Sequence, residues 1–194
     1  MKKSLLLLLV LLAGCSSPSV RVIERSGDRP DWVDTAKMAY QKDGKQYFIG
    51  YVSVEGDSSP SAAMNLADSK SYAEPMTAIT DDFFEQSQLG ESLKETTGKR
   101  MISSLRKSKI SLPGIQVTSR YWERKAIPMG SSAPDKIELH VYSLAEMPVH
   151  EYESAKAAAV QKLKGDPEIK KELDLIGKEQ RDRAYQSGQT PAAK

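Results

Sequence analysis

The sequence predicts an α+β fold: a small, mainly antiparallel three-stranded sheet packed against helices, with a helical extension at the C-terminus. Three segments carry apolar residues with the period of a β-strand, and apolar residues at helical spacing fill the stretches between and after them. The 194-residue chain is long enough for one domain with a substantial core. A three-stranded sheet covered by helices is the simplest arrangement of these elements in one domain.

The first predicted strand is QYFIGYVSV, residues 46–54, and Asp43-Gly44 before it predicts a turn. Gly50 lies in its middle, where the absence of a Cβ allows a helix or a large ring to approach closely. Both faces of the strand are apolar or aromatic, which is typical of a central strand. The two sets are Phe48, Val52 and Val54 on one face, and Tyr47, Ile49 and Tyr51 on the other.

A long helix is predicted to begin at Pro60, because proline is favoured in the first turn of a helix. Apolar residues then keep helical spacing as far as Phe83, with small residues first and large ones later. Pro75 falls inside this pattern, and we expect it to kink or split the helix near Glu74. A second helix is predicted for about residues 92–107.

Residues 114–127 and 136–144 predict an antiparallel hairpin. Both segments alternate in the manner of strands, and the intervening PMGSSAPD is rich in turn-forming residues. One face of each strand is polar, so we expect one face of the sheet to stay exposed to water.

Helical spacing returns at the C-terminus. A helix is predicted from about Val149 to Lys164, and a second helix begins at Asp166-Pro167 with Ile169, Leu173 and Ile176 on one stripe. The last residues, QSGQTPAAK, predict disorder. We therefore assign residues 31–164 to the α+β domain and residues 165–194 to a helical extension with a disordered tail.

The N-terminus, MKKSLLLLLVLLAGCSSPSV, has the pattern of an export signal. Two lysines precede an apolar run that is shorter than the roughly 20 residues needed to cross a bilayer. The run ends at Leu12-Ala13-Gly14-Cys15, which looks like a lipobox. Such a signal is cleaved between Gly14 and Cys15, and the thiol of Cys15 becomes a diacylglyceryl thioether. The alternatives are a plain signal peptide or a buried core cysteine.

Lipidation would anchor the mature protein without a membrane-spanning segment. Cys15 is the chain's single cysteine, so its acylation would leave no free thiol in an oxidising compartment. Three acyl chains exceed the two signals that stable anchoring requires. Ser16, rather than Asp, follows the cysteine, a pattern that by resemblance to Gram-negative lipoproteins implies export to the outer membrane. Residues 15–30 predict an acylated N-terminus and a flexible tether with a reach of about 20 Å.

The charge of the mature chain is balanced. Lys2 and Lys3 leave with the signal, so 26 basic residues face 26 acidic ones. A balanced surface gives no electrostatic case for binding nucleic acid.

Signatures of enzymes and metal sites are scarce. His140 and His150 lack the spacing of a metal-binding pair, so we expect surface or structural histidines. Asp81 and Asp82 would point about 100° apart on a helix, which indicates a solvated face. Ser53 lacks the G-x-S-x-G spacing of a nucleophile elbow. We therefore predict no catalytic residues, no cofactor and no metal.

Six aromatic residues lie on or beside the predicted strands, and two interpretations are open. They can pack in the core and in cross-strand pairs. They can also present a face to a partner, because Trp and Tyr concentrate at interfaces. Exposed strand edges can in addition pair with another copy. The candidate partner-binding residues are Trp32, Tyr121, Trp122 and Tyr142; Tyr47 and Tyr51 complete the set.

Several short motifs together resemble the LPP-twenty type of bacterial outer-membrane lipoproteins. The resemblance covers about residues 30–160 and implies a small α/β domain on a lipid anchor, with no catalytic residues. Known relatives include a surface antigen and a lipoprotein of the flagellar basal disc. Pro75 and the extension after Leu163 depart from the pattern. The motifs are Pro30-Asp31-Trp32-Val33, Asp43-Gly44, Tyr47-Phe48-Ile49-Gly50, the alanines at 63, 67 and 73, Trp122-Glu123, and HVYSLAEMPVHEYESAK at 140–156.

These observations predict a lipid-anchored cell-envelope protein with a non-catalytic interaction or structural role at the outer membrane, on its periplasmic face or at the cell surface. The expected partners are the membrane, through the acyl chains, and envelope proteins or further copies of the chain. The alternative is a periplasmic lipoprotein that binds a ligand or peptidoglycan, which would need a pocket between helix and sheet.

Overall fold

The computed structural model describes residues 19–35, 37–86, 91–107, 110, 112–130, 133–171, 173–175 and 178. Residues 1–18, which include the predicted signal sequence, Gly14 and Cys15, and residues 179–194, which include the predicted disordered tail, lie outside these residues, so the predictions for them stay predictions. The described elements are, in chain order, β1 (Arg21–Arg25), a 3₁₀ helix (Asp31–Asp34), β2 (Ala39–Lys42), β3 (Lys45–Glu55), α1 (Pro60–Gln86), α2 (Glu91–Lys107), β4 (Gln116–Ile127), β5 (Lys136–Pro148) and α3 (Val149–Gly165).

The sheet has five antiparallel strands in the order β1-β4-β5-β3-β2, so the predicted three-stranded sheet is wrong. The two strands that were missed are the two edges. β2 has only four residues, and β1 is a five-residue segment, RVIER, in which every residue is exposed. Neither edge has a buried face, so neither shows the apolar alternation that reveals a strand in a sequence.

The strands and helices that contain core residues were predicted to within a few residues. β3 is an interior strand, β4 and β5 form the hairpin, and α1 begins at Pro60. The turn between β2 and β3 has positive φ at Asp43 (49°) and Gly44 (73°), as a two-residue hairpin turn requires.

Pro75 does not split α1, which contradicts the expected break near Glu74. The helix runs without interruption from Pro60 to Gln86 and buries Pro75 almost completely. Proline inside a helix costs about 3 kcal/mol. The long packed face of α1 offsets this cost, because Met76, Ile79 and Phe83 just beyond the proline lie in the core.

The helices cover one face of the sheet, which we call the helix face. The core between them has one large cluster around Phe48, Ile79 and Leu105 and a smaller one around Val52 and Val141. The predicted domain boundaries need correction at both ends. β1 belongs to the sheet although it was assigned to the tether, and Ile169 lies in the core although it was assigned to the extension.

Candidate interaction face of the sheet

The face of the sheet opposite the helices carries a row of three tyrosines, and we call it the tyrosine face. Tyr121, Tyr142 and Tyr51 lie directly opposite one another on β4, β5 and β3. The ring centroids are 6.3 Å apart for Tyr121 and Tyr142 and 5.0 Å apart for Tyr142 and Tyr51. Directly opposed aromatic residues of this kind stabilise a sheet and fix its register.

His140 lies beside this row, against Tyr51. The Tyr51 hydroxyl and Nδ1 of His140 are 2.7 Å apart, and Nε2 lies 3.1 Å from a carboxylate oxygen of Glu138 without hydrogen-bonding geometry. Burial, together with the charge of Lys125, lowers the pKa of His140 below its usual value. From the sequence, His140 could be either a surface or a structural histidine, and these contacts favour the structural role.

A buried carboxylate anchors the same face. The side chain of Glu123 is only 1% exposed. It accepts hydrogen bonds from Arg29 and, at 3.0 Å, from the Tyr121 hydroxyl, and it forms an ion pair with Lys125 at 2.9 Å. Burial alone would raise the pKa of Glu123, but these three donors outweigh it and lower the pKa to about 2. Glu123 is therefore an anion throughout the physiological range.

The N-terminal segment crosses this face as a strap, formed by residues 26–35 and 37–38. At its start the Ser26 amide donates to the Trp122 carbonyl at 3.0 Å, and near its end Met38 accepts from the Ile49 amide at 2.7 Å. In between, Arg29 lies over the Tyr121 ring, 5.9 Å from its centroid. The strap thus runs from the β4 side of the sheet to the β2 side, across the tyrosine face.

The strap contradicts the expectation that one sheet face stays wet. Ile49, Tyr121, Glu123 and Leu144 all point to the tyrosine face, and all four are buried. The strap is held by the Arg29 guanidinium. This group binds Glu123 beneath it, and it binds Asp34 in the 3₁₀ helix at a distance of 2.7 Å. The alternation of β4 and β5 correctly indicated two different faces, but a cover supplied by a distant irregular segment leaves no periodic signal.

The four candidate partner-binding residues do not form one surface. Tyr121 is buried and Tyr142 half-buried on the tyrosine face, and Trp32 is half-buried in the strap. Trp122 points the other way, into the smaller core cluster on the helix face. Partner binding by these residues stays a prediction, and Tyr142 and Trp32 are the two that remain partly accessible outside the helix-face core.

The helix face contains a polar cluster that the sequence analysis missed. Arg120 donates to both carboxylate oxygens of Asp68 on α1, at 2.8 to 3.1 Å, and the Ser143 hydroxyl donates to Asp68 at 2.6 Å. Burial raises the pKa of Asp68, but Arg120 and Ser143 outweigh burial and lower it. The cluster ties α1 to β4 and β5. Its members come from three distant segments, so no local spacing could have revealed it.

A shallow cleft of about 300 Å³ lies between α1 and α2. Its wall combines apolar side chains with one guanidinium and two hydroxyl groups. A pocket between helices is a common location for small ligands. The lining residues are Ser69, Tyr72, Ala73, Met76, Leu105, Arg106, Ile110 and Leu112.

Within the described part of the chain, no group of three or more His, Cys, Asp or Glu side chains is placed to hold a metal ion. None of the described helices combines the length and apolar character that a membrane span requires. No protein-family model, no curated protein and no solved structure matches this chain. The resemblance to the LPP-twenty type therefore stays a prediction from its motifs.

Proposed function

We propose that this chain is a lipid-anchored cell-envelope protein, held at the outer membrane through Cys15, with a non-catalytic interaction or structural role. The observation that carries the proposal is the lipobox-like Leu12-Ala13-Gly14-Cys15 directly after a leucine-rich run, with no other cysteine in the chain. A solitary cysteine at this position has an evident chemical use as an acylation site, and it cannot form a disulfide within the chain.

The position of the first strand is consistent with this proposal. β1 begins at Arg21, so only five residues separate it from Cys15. The tether is therefore much shorter than the fifteen residues first expected, and an acylated Cys15 would hold the sheet beside the membrane. A domain so close to the lipid surface suits a structural or docking role in the envelope.

The β2 edge of the sheet, which pairs with β3 alone, supports an interaction role. Unpaired strand edges add further strands readily. Tyr142 on the tyrosine face and Trp32 in the strap are both half-buried, and an envelope protein could contact either of them. A partner can therefore use the β2 edge or the accessible parts of Tyr142 and Trp32.

Acylation is tested in Gram-negative cells that express the chain and are grown in the presence of an alkyne-labelled fatty acid. The wild-type protein should carry the label and sediment with outer membranes. Cys15→Ser should lose the label and remain unprocessed, whereas Ser17→Ala, which leaves the lipobox intact, should behave as wild type. Unchanged labelling and sedimentation of Cys15→Ser would refute the anchor.

The interaction role is tested by in-cell crosslinking and affinity pull-down, with Cys15→Ser as the control. Recovery of further copies or of a defined envelope complex, lost in the variant, is the expected result. Recovery of the monomer alone would contradict this role.

The cleft between α1 and α2 favours a second candidate function, binding of a small ligand or a peptidoglycan fragment. Arg106 among the apolar side chains of the wall would suit an amphipathic anion. The test is mass spectrometry of the intact protein extracted from membranes under native conditions, comparing wild type with Ala73→Trp, which would fill the cleft. A bound mass present in the wild type and absent in the variant would favour this function over the first.

A further inference from the structure

We propose that the β1 edge of the sheet lies on the surface of the membrane that holds the acyl chains of Cys15. The contact surface consists of Val20, Val22, Ile23 and Met129, and we call it the β1 patch. The inference rests on the proposed lipid anchor and adds to it which face of the domain meets the lipid.

The length of the chain between the anchor and the patch limits how far apart they can be. Val20 follows Cys15 by five residues, and a fully extended chain spans at most about 3.6 Å per residue, so Val20 lies within about 18 Å of the cysteine. An acylated cysteine holds its backbone at the headgroup level, because the chains are buried in the hydrocarbon. The chain therefore holds Val20, at the start of the β1 patch, within this distance of the headgroups.

The patch is apolar and exposed. Its four side chains are between 50% and 58% exposed, and they are half of the eight large apolar side chains that are strongly exposed among the described residues. Val20, Val22 and Ile23 are neighbours along the chain at the start of β1, and the register places Met129 near the Val20 end of that strand, because Arg21 pairs with Ala126 and Met129 follows Ala126 by three residues. Large apolar side chains grouped at one edge indicate a contact surface.

The charges around the patch are paired with one another. Arg21 binds Asp135 at 2.7 Å, and Arg124 binds Glu24 at 3.1 Å and Asp57 at 2.7 Å. No surplus of positive charge is left to attract anionic lipid at these pairs, so the contact would be driven by apolar burial. Vesicles of neutral phosphatidylcholine are therefore the appropriate probe.

The backbone of β1 argues against a second copy as the occupant of this edge. The register shifts between Val22 and Glu24, as at a β-bulge. A bulge twists an edge strand and blunts its pairing with another strand. A lipid surface needs no backbone register, and it accommodates such an edge.

The test uses residues 15–194 with the thiol of Cys15 coupled to a maleimide lipid in phosphatidylcholine vesicles. Peroxide oxidation of each methionine is followed by mass spectrometry, and Met38, which is 44% exposed on the strap at the other side of the sheet, is the internal reference. We expect the oxidation rate of Met129 relative to Met38 to fall by about threefold or more on coupling to the vesicles. A Met129 to Met38 ratio that does not change on coupling would overturn the proposal. So would an equal fall of this ratio when the uncoupled protein, without vesicles, is brought to the same concentration, because a second copy would then be what covers Met129.

Two variants separate the patch from a general effect of crowding at the vesicle. Val22→Ser with Ile23→Ser should abolish the protection of Met129, whereas Leu66→Ser, which removes a 50% exposed apolar side chain from α1, should retain it. The measurement on the wild type needs no substitution, so it stands even if a variant folds poorly. Coupling through maleimide does not depend on acylation in the cell, so failure here and failure of the fatty-acid labelling are distinguishable.

Discussion

Single residues determine how closely the layers of this domain approach one another. Gly50 on β3 faces α1, and a Cβ at this position would lie 2.0 Å from the Ala67 carbonyl oxygen and 2.5 Å from the Ser71 amide nitrogen. The sequence already suggested a close approach at Gly50, and the structure identifies α1 as the element that approaches. Small residues on α1 make the contact possible.

Gly50→Ala should therefore destabilise the domain by about 3 kcal/mol or more, because backbone atoms of α1 would have to move. Gly27→Ala is the matched control, since nothing lies within 4 Å of its added Cβ. Urea unfolding of both variants measures the difference. Equal stability of the two variants would show that α1 does not pack on β3 in this way.

Glu123 links stability to pH through its buried anion. Its folded pKa of about 2 lies below the usual 4.5, so its contribution to the free energy of unfolding is fully present above about pH 4.5 and is lost as the pH falls towards 2. The shift corresponds to about 3 kcal/mol. The contribution depends on Arg29 and Lys125, which pair with the carboxylate.

Glu123→Gln should destabilise the protein by about 3 kcal/mol at pH 7, because it leaves two cations without their buried partner. Its deficit relative to wild type should shrink between pH 4.5 and 2. Urea unfolding at pH 7, 4, 3 and 2 measures this. Glu24→Gln, which removes an exposed carboxylate from an ion pair on β1, should have a small effect at every pH. A constant deficit for Glu123→Gln would contradict the assignment.

Glu74 on α1 has the opposite behaviour. Burial, with a smaller contribution from Asp81, raises its pKa from 4.5 to about 7. The folded state therefore holds a proton that the unfolded chain has lost, and stability falls as the pH rises from about 4.5 to 7. Glu74→Gln should raise the free energy of unfolding by about 1 to 2 kcal/mol at pH 8 and leave it nearly unchanged at pH 4. Urea unfolding at the two pH values measures this change. An equal change in the free energy of unfolding at pH 4 and pH 8 would contradict the interpretation.

At the scale of elements, the periodic segments could be predicted and the irregular ones could not. β3, β5 and α3 bury apolar side chains at regular spacing, so that spacing carries the prediction. β1, β2 and the strap have no such spacing. The strap depends on Arg29, whose side chain meets Glu123 from a position 94 residues earlier in the chain. Pro30-Asp31-Trp32-Val33 was noticed as a motif, but its place across the tyrosine face follows only from the tertiary structure.

Arg29→Ala should loosen the strap without unfolding the sheet, because it removes the contacts to Asp34 and Glu123 and uncovers Tyr121. We expect hydrogen exchange of the Val33 and Thr35 amides, which bond to the Pro30 and Trp32 carbonyls, to accelerate by about tenfold or more. The matched control is Arg25→Ala, which removes only an exposed 3.9 Å ion pair to Asp28. Equal exchange rates in the two variants would show that Arg29 does not hold the strap.

At the scale of the whole molecule, the domain extends beyond the boundaries suggested by the sequence, and this has a measurable consequence at the C-terminus. Ile169 is buried with Phe48 and Leu163 in the main cluster, and Leu173 packs against that cluster. Asp166 accepts hydrogen bonds from the amides of Glu168 and Ile169 and one from the Ser104 hydroxyl, at 2.7 to 3.3 Å. The sequence showed the apolar stripe, but a stripe does not reveal whether it packs on the core or on a partner.

A chain that ends at residue 164 should therefore lose about 2 to 3 kcal/mol of unfolding free energy relative to a chain that ends at residue 178, because it removes the buried Ile169 and the helix cap. Ile169→Ala in the full chain should reproduce most of this loss, whereas Leu175→Ala, at a strongly exposed position, should not. Urea unfolding compares the four proteins. If the chain ending at residue 164 is as stable as the longer one, residues 165–175 do not contribute to the stability of the domain. The cluster that joins them to β3, α1 and α2 would then not unfold as one cooperative core.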